Sequence, residues 1–376
     1  MSLRIHLIAG ARPNFMKIAP LWHAFARSRS PFDVAIVHTG QHYDDEMSDI
    51  FLRQFRLPRP HYMLYAGAGS HAEQTAAVMV AYEKVCLADR PDWVIVVGDV
   101  NSTLAAALVA KKLLLNVAHL EAGLRSFDRT MPEEINRLVT DAIADLLWTP
   151  SADADENLAR EGVPRSNIER VGNIMIDAFE LLRADIEAAG WSNKNGLIDI
   201  EFGVVTLHRP ANVDDPQRLA TLVATLEHVA SRVLLVLPLH PRTQRRLEEA
   251  GLFSQLERVS RLRIIAPLGY VEFMSAVSKA RFTLTDSGGV QEETTYLGIP
   301  CLTLRDNTER PVTIHEGSNR LVKLDTLEAE VHRVLAGPAR LGRRPALWDG
   351  RTADRVVASL ERRGAEHGKI AVAGRS

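Results

Sequence analysis

Short continuous apolar runs alternate along this chain with longer stretches in which apolar positions return every three or four residues. The first pattern is that of a buried strand and the second that of an amphipathic helix, so their alternation predicts crossover units and a parallel sheet. One set of runs covers residues 4–9, 33–38, 93–97, 116–120 and 146–149, and a second covers 203–207, 233–238, 262–266, 282–285 and 301–304. Trp93-Val94-Ile95-Val96-Val97 is apolar at every position, which predicts helices on both faces of its sheet. The break between the sets follows Val171-Gly172-Asn173, ahead of a helical pattern and the polar, glycine-bearing stretch 191–196. The chain is therefore expected to be α/β, with two Rossmann-like doubly wound domains over 1–172 and 173–363. The last helix is placed to pack back on the first domain, and 364–376, small, polar and charged, are expected to form a loosely ordered tail.

Composition narrows the partners more than the fold. A chain of 376 residues with 46% hydrophobic positions can bury two cores. Lys+Arg 45 against Asp+Glu 47 leaves a net charge of -2, so no basic face is implied, and neither nucleic acid nor a membrane surface is an expected partner. No run approaches the roughly 18 apolar residues of a membrane-spanning helix, and the N-terminal run leads straight into Gly10-Ala11-Arg12-Pro13 without a cleavage-site pattern. Cys86 and Cys301 are too few for a disulfide framework and fit a reducing, cytoplasmic compartment. The histidines lack metal-ligand spacing, and neither metal nor cofactor is expected.

Candidate chemistry gathers at the ends of the predicted strands, where ligands sit in doubly wound sheets. Thr285-Asp286-Ser287-Gly288-Gly289-Val290-Gln291-Glu292-Glu293 reads as strand, glycine turn and helix start, a junction that turns backbone amides and the positive dipole end towards an anion. Ser287 is also a good helix cap, and Glu292 and Glu293 would complement a first turn without any ligand; paired glycines between strand and helix favour phosphate. Glu121 and Arg125 follow another buried strand, where charge calls for a partner. Asp99 stands beside Gly98 with Asn101, Ser102 and Thr103 behind it as better-placed caps, which frees Asp99 for proton transfer or hydroxyl binding. Thr130-Met131-Pro132-Glu133 matches a capping box, so Glu133 reads equally as structural and catalytic. Arg12 and Lys17 follow the first glycine-proline turn, where a solvated face is the ordinary reading, and His208 with Arg209 opens the first loop of the second domain. Arg310 sits between strand and helix, where it can clamp phosphate through two donors. Two such domains facing a central cleft would bring these residues together.

Taken together, Gly10-Ala11-Arg12-Pro13, Thr39-Gly40-Gln41-His42, Gly98-Asp99, Asn101-Ser102-Thr103, Glu121-Ala122-Gly123-Leu124-Arg125, Pro132-Glu133-Glu134, Leu207-His208-Arg209 and the 285–293 block resemble the non-hydrolysing UDP-N-acetylglucosamine 2-epimerases. The resemblance implies a glycosyltransferase-B-like domain pair, a UDP-sugar substrate, a homodimer and a role in polysaccharide supply. It also implies loss of UDP to a 2-acetamidoglucal and re-addition after reprotonation on the other face. Its acid/base positions fall on Asp99, Glu121 and Glu133, with His208 near the pyrophosphate; which carboxylate takes the proton stays open. Arg12, Lys17 and Arg209 match substrate-side positions, Ser287, Gly288 and Gly289 the pyrophosphate cradle, Glu293 a ribose contact and Arg310 a nucleotide contact. Two departures bear on substrate: a short interval from Arg125 to Pro132, shared with epimerases of UDP-2,3-diacetamido-2,3-dideoxyglucuronate, and Pro210-Ala211-Asn212 after His208-Arg209. A third is segment 66–74, which differs from the one that helps bind an activating second UDP-sugar elsewhere in the family. A hydrolysing epimerase and a non-catalytic nucleotide-sugar sensor are the alternative readings.

Overall fold

The computed structural model describes residues 2–10, 12–40 and 52–373, without the side chains of residue 12 and of 365–373. Arg12 as a side chain, Gln41 and His42 therefore lie outside the described residues. The chain divides into two units, residues 1–181 with 346–376, and residues 182–345.

The first unit carries β1 (Leu3–Ala9), β2 (Phe32–His38), β3 (Tyr62–Met63), β4 (Trp93–Val97), β5 (Asn116–Leu120), β6 (Leu146–Thr149) and β7 (Ile168–Arg170). They form a parallel sheet in the order β3-β2-β1-β4-β5-β6-β7. The second unit carries β8 (Phe202–Thr206), β9 (Leu234–Pro238), β10 (Leu262–Ile265), β11 (Phe282–Thr285), β12 (Cys301–Thr303) and β13 (Asn319–Leu321), parallel in the order β10-β9-β8-β11-β12-β13. Both sheets are doubly wound. In each, the connections leave in opposite directions from a central neighbouring pair, β1 with β4 and β8 with β11.

All ten predicted strands are present, shifted by a residue at some ends. Three more, β3, β7 and β13, were not predicted: each is two or three residues long and lies at a sheet edge. So short a strand leaves no readable period, and an edge strand need not be apolar on both faces.

The cores follow the apolar pattern. In the second unit Val205, Leu235, Phe282, Leu284 and Leu302 are buried beneath Leu222, Val223 and Leu226 of the helix Pro216–Ala230. In the first, Val94, Val96 and Val117 pack with Ala106, Val109 and Ala110 of the helix Asn101–Lys112.

The division falls after Leu181, not after residue 172, because the helix Ile174–Leu181 packs on the helix Arg12–Arg27 of the first unit. The terminal helix Thr352–Ala373 packs on the same helix, and it runs past residue 364, where the sequence suggested a tail. Asp177 holds its start: the buried carboxylate accepts from the Thr352 and Ala353 amides at 3.1 and 2.8 Å. Trp348 Nε1 donates to the Pro150 carbonyl at 3.0 Å and Trp148 Nε1 to Ser359 Oγ at 3.1 Å, which ties the C-terminal segment to β6.

Candidate functional site

In the first unit the candidate residues collect where β1, β4 and β5 end. Asn14 accepts from the Gly10 amide at 3.2 Å and donates to the Val97 carbonyl at 3.0 Å, pinning the ends of β1 and β4. One helical turn later Lys17, only 8% exposed, donates from Nζ to Glu121 Oε2. The solvated face expected for it is replaced by a buried ion pair. Gly98 makes room for that pair, since at φ 67° a Cβ there would stand 2.8 Å from Lys17 Nζ and 3.5 Å from Glu121 Oε2.

Glu121 is buried and holds a left-handed backbone at φ 70°, a conformation that costs a non-glycine residue on the order of 1–2 kcal/mol. Its Oε1 is also buried and has no hydrogen-bond partner among the described residues. A buried acceptor left unmade is itself unfavourable by about 1–3 kcal/mol. Strain and an unused acceptor thus meet on one carboxylate.

Its neighbours on β5 are fully used. His119 lies between Asp141 Oδ1 at 2.6 Å and the Gly98 carbonyl at 2.8 Å, so both ring nitrogens are occupied. Burial works to raise the Asp141 carboxyl, yet His119 and Arg125 outweigh it and hold it below the usual range. Arg125 is spent on structure: it pairs with Asp141 Oδ2 at 2.8 Å and Glu161 Oε2 at 2.6 Å inside the fold. The expectation of an external partner for Arg125 is thus met internally.

Asp99 follows Gly98 with its side chain 30% exposed, and Arg137 Nη1 donates to its Oδ2. Asn101, Ser102 and Thr103 do not cap the next helix, whose N-cap is Val100. Asn101 bonds Gln74 at 3.0 Å, Ser102 bonds Thr39 at 2.7 Å, and Thr103 donates to the Val97 carbonyl at 2.9 Å.

The capping box at Thr130 does not form either, because the helix Pro132–Ile143 has Met131 as its N-cap without a side-chain bond. Glu133 is exposed on the first turn, and the structural half of its double reading falls away. The buried acid there is Glu134, which accepts from the Ser126 and Phe127 amides at 3.0 and 2.9 Å and from Arg137 Nε at 2.9 Å. Burial pushes its carboxyl upwards, but the two amides and the Arg137 charge hold it below the usual range.

In the second unit the chemistry gathers at the ends of β8 and β11. Asp286, wholly buried, accepts from the His208 amide at 3.0 Å, the Arg209 amide at 2.9 Å and Asn212 Nδ2 at 3.1 Å, and it pairs with His208 Nδ1 at 3.1 Å. Burial raises its carboxyl less than His208 and these donors lower it. The first loop of the unit is thereby folded around one carboxylate, with His208 partly exposed and His240 at 5.2 Å between ring centroids.

Ser287 occupies the N-cap position of the helix Gly288–Leu297, but its side chain makes no capping bond. Instead Thr285 Oγ1 accepts from the Ser287 amide at 3.0 Å. No acidic residue stands in the first turn; Glu292 and Glu293 lie on the second, buried, which corrects their reading as dipole partners. The glycines differ in purpose. A Cβ at Gly288 would meet Glu309 Oε1 at 2.8 Å and Arg310 Nη1 at 3.0 Å, whereas at Gly289 it would meet open space. Arg310 is braced by Glu292 Oε1 at 2.7 Å and by Glu309, with Arg305 in turn 3.0 Å from Glu309 Oε2. Glu293 Oε1 accepts from the Tyr270 hydroxyl at 2.7 Å, and burial pushes its carboxyl up to about 8.

Among the described residues no cluster of three or more His, Cys, Asp and Glu side chains is arranged to hold a metal. The sequence reading did not assign Glu134, Arg137, Asp286 or Tyr270. The i,i+3 spacing of Glu134 and Arg137 and the charge at the very end of β11 were available signals. For Tyr270 the sequence carried none.

The UDP-N-acetylglucosamine 2-epimerase family model matches residues 25–361. A UDP-N-acetylglucosamine 2-epimerase of Methanocaldococcus jannaschii is 43% identical over 326 residues, 85% of this chain and 88% of that protein. A UDP-2,3-diacetamido-2,3-dideoxy-D-glucuronate 2-epimerase of Pseudomonas aeruginosa is 42% identical over 324 residues, covering 85% and 88%. The crystal structure of the M. jannaschii UDP-GlcNAc 2-epimerase in complex with UDP-GlcNAc and UDP superposes with a TM-score of 0.85 at 41% identity, over 96% of this chain and 99% of that one.

Proposed function

We propose, from the premise that this chain belongs to the UDP-N-acetylglucosamine 2-epimerase family, that it interconverts UDP-N-acetylglucosamine and UDP-N-acetylmannosamine without hydrolysis. The observation that carries the chemistry is Glu121, strained, buried, paired through one oxygen with Lys17 and unpartnered at the other. The C2 proton of a 2-acetamido sugar is not beside a carbonyl, so its direct removal is poor. Departure of UDP from C1 as the C2 proton leaves gives a glycal, and re-addition of UDP after protonation of the opposite face inverts C2. That route needs carboxylates to accept and return the proton, for which Asp99, Glu121 and Glu133 are proposed. It also needs stabilisation of the departing pyrophosphate. The uncapped turn Ser287-Gly288-Gly289, with His208, Arg209 and Arg310, is proposed to supply it, and Glu293 to contact the ribose. On this reading the first unit holds the sugar and the second UDP, with Arg12 and Lys17 on the sugar and phosphate side.

A second substrate has one observation behind it. The 42% identity to the diacetamido-glucuronate epimerase is nearly that to the N-acetylglucosamine enzyme, and UDP-2,3-diacetamido-2,3-dideoxyglucuronate would undergo the same C2 elimination. We also propose a cytoplasmic homodimer in polysaccharide supply; among the described residues no helix is long and apolar enough to cross a membrane.

Proton NMR with UDP-N-acetylglucosamine in deuterated water tests the reading. Deuterium at C2 of UDP-N-acetylmannosamine is the expected result. Free sugar with UDP would make the enzyme hydrolysing, and an unchanged substrate would redirect the assay to the diacetamido-uronate or, if that too is untouched, to a sensor.

A further inference from the structure

Arg137 takes no part in the proposed proton transfer, yet it holds Asp99. Its buried guanidinium donates from Nε to Glu134 Oε2 at 2.9 Å and from Nη1 to Asp99 Oδ2. Glu134 is anchored in turn by the amides of Ser126 and Phe127. Asn136, beside Arg137 on the helix Pro132–Ile143, donates to the Asp99 carbonyl at 2.9 Å and to Asn101 Oδ1 at 3.2 Å. Two consecutive helix residues therefore grip Asp99 by its backbone and by one carboxylate oxygen, while its side chain keeps 30% exposure. A guanidinium is a planar fork of fixed donors, so once Glu134 holds one edge the direction of the other is set.

Resting on the reading of Asp99 as an acid/base group, we propose that Arg137 is a positioning residue for the epimerisation. It turns one oxygen of Asp99 to itself and thereby aims the other at the position where the C2 proton is exchanged. Glu134 is the brace that keeps the fork in plane. The same brace holds the loop at Phe127, which stands at φ 60° and 73% exposed, so that loop and the Asp99 carboxylate share one anchor. The surrounding charged and titratable groups are Glu133 and Glu134 on the Arg137 helix, Lys17 and Glu121 across Gly98, His119 against the Gly98 carbonyl and His71 against Asn101.

The test measures kcat, KM, UDP affinity and unfolding midpoint for Arg137→Lys, Arg137→Gln and Glu134→Gln, with Asp99→Asn alongside. Misplacing a catalytic group by about an ångström costs on the order of 100-fold. Arg137→Gln is expected to lower kcat by about that factor with UDP affinity within about threefold. Arg137→Lys, which restores charge without the fork, is expected to recover about tenfold of the loss. Wild-type kcat in Arg137→Lys and Arg137→Gln, or a loss of UDP affinity and folding in step with kcat, would overturn the role. If Arg137→Gln does not fold, Arg137→Lys decides alone: lowered kcat at unchanged UDP affinity supports positioning, and wild-type kcat sinks it. An Asp99→Asn enzyme at full rate would remove the acid/base reading itself, whereas an inactive Asp99→Asn beside fully active Arg137 variants removes only the role of Arg137.

Discussion

Glu121 shows how much one side chain can carry. It follows directly on the last residue of β5, its φ of 70° is unfavourable, one oxygen is held by Lys17 and the other is unmatched. Changing it to Gln keeps the shape and removes the carboxylate proposed for the proton exchange. Turnover is expected to fall at least about 100-fold, the scale of a lost general base, with UDP affinity measured by calorimetry unchanged; an active Glu121→Gln would exclude Glu121 from the proton transfer. Glu293 gives a residue-scale prediction of another kind. Burial raises its carboxyl from the ordinary 4.5 to about 8, so the folded chain keeps a proton that the unfolded chain has released. Stability should therefore decline as pH climbs from about 4.5 to about 8 and level off above. In Glu293→Gln the part of that decline due to Glu293 is lost, and urea midpoints across this range read the difference. An unchanged slope would assign the titration elsewhere.

At the scale of elements, the sequence located helix starts better than it explained them. Polar residues stand before the helices Asn101–Lys112, Pro132–Ile143 and Gly288–Leu297, yet none of these starts has a side-chain cap. At the first of these starts Ser102 bonds Thr39 and Asn101 bonds Gln74 instead, both far off in the chain. Capping is local, and a sequence displays it; a bond to a residue dozens of positions away is not displayed. The terminal helix is the converse case, since its start is capped from Asp177, far back in the chain. Asp177→Ala is expected to destabilise the protein by about 1–3 kcal/mol, the effect of leaving two buried amides unmet. Burial pushes the Asp177 carboxyl up to about 6, so its contribution to stability falls as pH rises from 3.8 to about 6. Urea unfolding of Asp177→Ala at pH 7 checks the first statement, and the pH slope of Asp177→Asn checks the second.

At the scale of the molecule, two sheets wound in the same sense each offer a switch point, and the two carry different chemistry. The end of β5 beside β4 gathers carboxylates and their cations; the ends of β8 and β11 gather backbone amides around Asp286 and an uncapped helix start. On the proposed division, UDP protects the second unit first. Saturation at 100 times the dissociation constant should add about 2.7 kcal/mol to its stability. Hydrogen exchange should slow at residues 286–293 more than along β5, and equal slowing at β5 would contradict the division.

Ten strands, the division of the chain into two doubly wound sheets and the placing of Asp99, Glu121, His208 and Ser287 after strand ends were legible in the sequence, because apolar period and strand–turn–helix order are local properties of the chain. The family was legible too, from motifs that are contiguous. What the tertiary structure alone decided is which charges are free. Arg125 was expected to need a partner and Arg310 to clamp phosphate, yet Arg125 is closed off by Asp141 and Glu161 and Arg310 is braced by Glu292 and Glu309. Glu133 and Glu134 stand side by side in the sequence, and only the packing of their helix exposes the first and buries the second. Pairing of this kind depends on distance in space and on desolvation, and neither is written in the order of residues along the chain.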